Sequence, residues 1–130
     1  DFISIHSYPL WENKNITEAL DFTIQNYQLV KNKYPNKQIV ITEAGWATAA
    51  NGRGFSAENA NQNAQLEYYN AIMNWCKIEN ILCFYFEAFD ELWKGSDHPL
   101  EPEKHWGLFY DNRTPKKVLS NNSILNINYV

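Results

Sequence analysis

Methionine is almost absent: Met73 is the only one, and the first residue is Asp1. The chain opens Asp1-Phe2-Ile3, directly into an apolar run, with no charged leader or transit-type segment ahead of it. A sequence of this kind is expected to be a piece of something longer. Cysteine is scarce too. Cys76 and Cys83 lack CxxC or metal-type spacing, which predicts two buried thiols and leaves a disulfide open. An excess of basic residues is missing: 11 Lys and Arg face 15 Asp and Glu, for a net charge of −4. That balance argues against nucleic acid or an anionic membrane surface as partner. No apolar run approaches the roughly 18–20 residues of a spanning helix. The longest, Ile81 to Phe89, is interrupted by Glu87. Neither an internal repeat nor a low-complexity linker appears.

What is present is apolar and aromatic. Hydrophobic residues make up 45% and charged ones 20%, which excludes a disordered tail. The 130 residues would fit one ordinary domain, and aromatics reach 15%, more than a generic core requires. Of 17 asparagines, Asn15, Asn112 and Asn121 stand in N-x-[ST] sequons, a number that chance explains as well as glycosylation does.

Organisation follows from periodicity. Asp1 to Tyr8 reads as a strand, stopped by Pro9. Asn15 or Thr17 could cap a helix whose apolar residues recur at Ile16, Leu20, Ile24, Tyr27, Val30 and Tyr34. Pro35-Asn36 breaks it. Gln38 to Thr42 is the short apolar run of a buried parallel strand. Ser56 is the expected cap of a second helix through Ala60, Ala64, Tyr68, Ile72 and Trp75. Ile81 to Phe89 is the third strand, followed by a long loop and a short helix near Lys116 to Leu119. The alternation β-α-β-α-β implies right-handed crossovers and a parallel sheet. A (β/α)8 barrel needs roughly 250 residues. The chain could therefore be the last part of one, or a small open sheet.

Ligands of parallel α/β folds meet the C-terminal strand ends, and here each end carries polar and aromatic groups. The first has His6, Ser7, Tyr8 and Trp11. The second has Glu43 and Trp46. The third has Glu87, Asp90, Glu91, Trp93 and Lys94. Glu43 follows directly on Ile39-Val40-Ile41-Thr42, where a merely structural carboxylate would be nearly buried and costly. A nucleophile or acid/base beside a sugar fits that position, and a buried Glu paired with Arg or Lys is the alternative. Glu87 divides between core partner and site residue. Glu91 and Lys94, three apart, read as an ion pair facing the same patch or as a plain surface pair. Trp11, Trp46, Trp93 and Trp106 each suit packing individually, but several at one rim favour at least one stacking platform. His6 suits an inward, hydrogen-bonded role better than that of a base. Nothing supports a Ser or Cys triad, a phosphate loop, a metal site or a cofactor.

Together these motifs resemble glycoside hydrolase family 17, the β-1,3-glucanases, in its C-terminal part. Ile39 to Trp46 is similar to the family's nucleophile strand, Phe89-Asp90-Glu91-Leu92-Trp93-Lys94 to its last-strand motif, and Glu103 to Phe109 to the segment that follows. His6-Ser7-Tyr8-Pro9 is similar to a sugar-site turn that often carries Asn where this chain has His6. The likeness runs from about Asp1 to Lys116, and the tail after Val118 carries no match. It implies an α/β chain forming the C-terminal three βα units of a (β/α)8 barrel, with residues 1–130 as one partial catalytic domain. It implies Glu43 as nucleophile of a retaining enzyme, with Glu91, Lys94 and Glu103 in support. His6, Tyr8, Trp11, Trp46 and Trp93 would bind a β-glucan. The acid/base carboxyl group would lie upstream of Asp1, so the isolated chain is expected to be inactive. The resemblance further suggests an exported protein, extracellular or in the cell wall or periplasm. Transglycosylation through the same intermediate, and a non-catalytic glucan-binding module, are the rival readings.

Overall fold

The computed structural model describes residues 1–120, so the third sequon at Asn121 and most of the tail lie outside the described residues. Strand β1 covers Phe2–Ser7, helix α1 Ile16–Lys33, strand β2 Gln38–Ala44, helix α2 Gln62–Ile78, strand β3 Cys83–Tyr85 and helix α3 Lys117–Ser120. The strands form one parallel sheet in the order β1-β2-β3, as the alternation of elements requires. Helix α1 packs on β1 and β2, while α2 packs on β3 and on α1. A chain of buried hydroxyls ties them together. Ser7 and Thr23 stand 2.8 Å apart, and Thr23 and Tyr68 another 2.8 Å. Below the strand ends, Ile41, Ala44, Trp46, Tyr68, Ile72 and Trp106 form the fully buried core.

Asn15 is the cap of α1. Its side chain accepts from the Thr17 and Glu18 amides, and Glu18 reaches back to the Asn15 amide in a complete capping box. Helix α2 corrects an expectation. Ser56 opens only a single turn of 3-10 helix, Ala57–Asn59, and makes no side-chain cap. Asn61 caps α2 instead, its Oδ1 accepting from the Ala64 amide at 2.9 Å. Ala60, Ala64, Tyr68 and Ile72 suit either start, because moving the cap leaves the helical period unchanged.

The third strand is also shorter than the apolar run suggests. Only Cys83–Tyr85 belong to the sheet. The Phe86 amide still donates to the Ala44 carbonyl of β2 at 2.7 Å, but from Glu87 onward the chain turns to segment 106–109: Glu87 donates to the Trp106 carbonyl at 3.2 Å, and Leu108 donates to that of Glu87 at 2.9 Å. Backbone groups used in this second ladder are unavailable to β2.

Gly45 makes that crossing feasible. A Cβ there would lie 2.0 Å from the Phe86 carbonyl oxygen. Gly45→Ala should therefore lower the unfolding free energy by about 1–3 kcal/mol through overpacking. Urea titration of the purified chain reads this directly, and an unchanged midpoint would refute the close approach.

Candidate active site

A bulge sets the position of the central carboxylate. Ile5 pairs with Ile41, but His6 pairs with Glu43, so Thr42 is the extra residue. Such a bulge re-aims the residue beyond it. It brings Glu43 level with His6 at the C-terminal end of the sheet. The Tyr8 hydroxyl donates to Glu43 Oε2, and His6 Nδ1 lies 3.3 Å from the same oxygen. Glu43 is not nearly buried, as its setting in the sequence suggests. Its side chain is 35% exposed, because it stands past the buried run of the strand. A phenol and an imidazole are its partners, rather than Lys or Arg.

Tyr8 is held rigidly. Its ring meets Trp106 edge-on at 5.2 Å and Phe86 at 5.7 Å. Trp11 stacks on Trp106 at 6.2 Å and meets Phe55 at 4.9 Å. Burial raises the Tyr8 phenol well above its ordinary value. The hydrogen bond to Glu43 and the charges of Glu43, Glu103 and Glu87 add to the rise. Tyr8 is therefore a permanent donor, and three carboxylates lie within electrostatic reach of it.

The second cluster grows from the end of β3. Lys94 Nζ sits 3.0 Å from Glu87 Oε2 and pairs with Glu91, three residues back. It also lies over the Phe86 ring at 4.9 Å and the Trp93 ring at 5.7 Å. Burial alone would lower the Lys94 ammonium, but the two carboxylates outweigh it and raise the group above its ordinary value. Lys94 pulls Glu91 below the ordinary carboxylate range. Burial instead pushes Glu87 up to about 7, and Lys94 only partly offsets it.

These shifts predict a pH dependence of stability with a definite sign. Glu87 binds a proton more tightly in the fold than in the unfolded chain. Stability therefore falls as pH rises from the ordinary 4.5 through about 7. Glu91 acts oppositely, its contribution being lost as pH falls below the ordinary 4.5. Thermal melts from acid to neutral pH should show greatest stability near the crossover, and Glu87→Gln should remove the loss on the neutral side. A Glu87→Gln profile parallel to that of the parent would contradict this.

The structure brings His6, Tyr8 and Glu43 into one cluster and Glu87, Glu91 and Lys94 into another, with Phe86 between them. Trp93 is 77% exposed and offers an open ring face. Trp46 does not. It is fully buried, its indole nitrogen donating to the Asn59 carbonyl at 2.9 Å, so it packs and presents no stacking surface. Trp11 is half-buried in the wall behind Tyr8. Glu103 sits half-buried in the turn Pro102–Lys104 and reaches Tyr8 through charge, with no ion pair to Lys94 among the described residues. One participant carries no sequence signal: Phe86, which looks like any strand aromatic. Trp106, weighed from the sequence as packing or platform, is fully buried and packs against Tyr8, Trp11 and Phe86. A further tie fixes the rim. Arg53 clamps both oxygens of the fully buried Glu101, at 3.0 and 3.2 Å, joining the loops after β2 and β3.

No group of three His, Cys, Asp or Glu among the described residues could hold a metal, and no described helix is long and apolar enough to cross a membrane.

A parallel α/β sheet with carboxylates and aromatic rings at its C-terminal rim is the architecture of the glycoside hydrolase barrels, and solved structures of that class superpose on it. A β-1,3-glucanosyltransferase of glycoside hydrolase family 17 from Rhizomucor miehei aligns with TM-score 0.78 and 28% identity, over 91% of this chain and 42% of that one. An endo-laminarinase from Formosa aligns with TM-score 0.77 and 29% identity, over 93% and 38%. A glucan 1,3-beta-glucosidase of Schizosaccharomyces pombe is 30% identical over 127 residues, 92% of this chain and 38% of the relative. The family model of the BtgE/BtgC glycoside hydrolase domain matches residues 1–107, and the chain belongs to that family. The chain spans about two fifths of the length of these relatives.

Proposed function

We propose that this chain is the C-terminal three βα units of a (β/α)8 barrel that cleaves β-1,3-glucan with retention, Glu43 being the nucleophile. The observation that carries the reading is the setting of Glu43: at a parallel strand end, hydrogen-bonded by Tyr8, beside His6, and partly open to solvent. One oxygen is oriented by a donor that burial keeps protonated. The other is left to attack an anomeric carbon. The step forms a glycosyl ester at Glu43 as the glycosidic C–O bond breaks, and the leaving oxygen takes a proton from a second carboxyl group. Water, deprotonated by that same group, then releases the sugar. In this reading the second carboxyl group lies on a part of the barrel upstream of Asp1.

Lys94 keeps Glu91 ionised and holds both Glu87 and Glu91 in place, with Glu91 and Glu103 in supporting positions. Trp93 supplies a stacking face, while His6 and Tyr8 meet sugar hydroxyls and Trp11 backs the wall. The open sheet supports a partial barrel. Phe2, Leu82 and Phe84 are each more than half exposed, apolar surface that further βα units would cover. Export to a wall or extracellular glucan fits this substrate.

A second reading, transfer to a sugar acceptor instead of water, is favoured by the Rhizomucor relative, which is described as a β-1,3-glucanosyltransferase. The test is incubation of the complete protein that carries this chain with laminari-oligosaccharides. Shorter products alone mean hydrolysis. Longer ones mean transfer. No change in the oligosaccharides would overturn both.

A further inference from the structure

A buried ion pair stands directly behind the candidate site, and the family match, which ends at residue 107, does not reach one of its members. Lys116 is fully buried, and its ammonium lies 2.6 Å from Asp90 Oδ1. It also donates to Thr48 Oγ1 at 2.8 Å, with the His105 carbonyl at 3.4 Å and the Tyr110 ring at 5.3 Å. Asp90 Oδ1 accepts from the Gly107 amide as well, at 2.9 Å. The Thr48 amide and hydroxyl in turn bond the His105 carbonyl at 2.9 and 3.1 Å.

Three segments therefore converge on one ammonium: the loop after Glu43 through Thr48, the segment carrying Glu87, Glu91 and Lys94 through Asp90, and segment 105–109. Asp90 is the residue immediately before Glu91. Its own amide is pinned to the Phe109 carbonyl at 2.9 Å. Desolvation makes such a pair costly, and apolar side chains of similar volume would often stabilise a fold as well or better. A single charged hub does what apolar packing cannot: it fixes the direction of several backbone groups at once.

We propose that Lys116 is a positioning residue, which through Asp90 and Thr48 sets the Glu91–Lys94 cluster against the strand end that carries Glu43. The role rests on the glucan-cleaving reading above. Displacement of a catalytic group by about 1 Å can cost about 10²-fold in rate.

The test compares the complete protein with Lys116→Met and with the double variant Asp90→Asn/Lys116→Met, using laminarin as substrate. Lys116→Met strands a buried carboxylate and should lower the melting temperature by about 4 °C or more. The double variant holds no stranded charge, and the carboxamide oxygen that replaces the Asp90 carboxylate can still accept from Gly107. It should melt close to the parent, yet lose about 10²-fold in kcat with little change in KM. A double variant that melts like the parent and keeps its kcat would overturn the proposal, as would Lys116→Met with an unchanged melting temperature. If the parent itself leaves laminarin intact, the glucan-cleaving reading fails and this role falls with it. Loss confined to the variants, against an active parent, bears on Lys116 alone.

Discussion

Glu43→Gln, made in the complete protein, should lower kcat on laminarin by about 10⁴-fold or more, the scale seen when a covalent-catalysis residue is removed. The substitution is nearly isosteric. The amide oxygen of Gln can still accept from the Tyr8 hydroxyl that now serves Glu43 Oε2, so the wall of Trp106, Phe86 and Trp11 behind Tyr8 keeps its packing. What disappears is the negative charge that, in the proposed mechanism, attacks the anomeric carbon. The stacking face proposed at Trp93 belongs to the other cluster and is left in place, so KM should move little. A rate within tenfold of the parent would show that Glu43 only orients its neighbours.

The isolated 130-residue chain should turn over laminarin at a rate lower by at least about 10²–10⁴-fold than the complete protein. Retention requires a second carboxyl group roughly 5–5.5 Å from the nucleophile. The carboxylates offered by the end of β3 are committed elsewhere: Glu87 and Glu91 both hold Lys94. The open side of the sheet works against the isolated chain as well. Phe2, Leu82 and Phe84 expose 58, 51 and 56% of their surface, an edge and face prone to association. Kinetics on the purified chain beside the complete protein decide the matter. Comparable turnover would mean that the acid lies within these residues.

Much of this arrangement is legible in the sequence because it depends on local signals. Glu43 stands out because a carboxylate rarely ends a run such as Ile39-Val40-Ile41-Thr42 without a reason. The spacing of Glu91 and Lys94 makes their pairing readable, and Pro9, Asn15 and Pro35 punctuate the first βα unit where the structure does. The parts that are not legible depend on tertiary contacts. Trp46 looks like a rim aromatic, yet its burial is decided by the Asn59 carbonyl and the α2 side chains around it. Ile81 to Phe89 reads as one strand, but its second half pairs with segment 106–109, which no periodicity reveals. Ser56 and Asn61 are equally good caps, and only the packing of α2 chooses between them. Lys116 follows a proline in a polar stretch that would normally be solvated, and nothing local marks its ammonium as fully buried.

The central claim is covalent: Glu43 carries the sugar during turnover. A 2-deoxy-2-fluoro-β-laminaribioside with a good leaving group would slow both steps and allow the glycosyl-enzyme to accumulate. Digestion and mass spectrometry of the trapped complete protein should find the added mass on the peptide containing Ile41-Thr42-Glu43-Ala44, at Glu43. The label on any other residue, or no label from an enzyme that cleaves laminarin with inversion, would contradict the account.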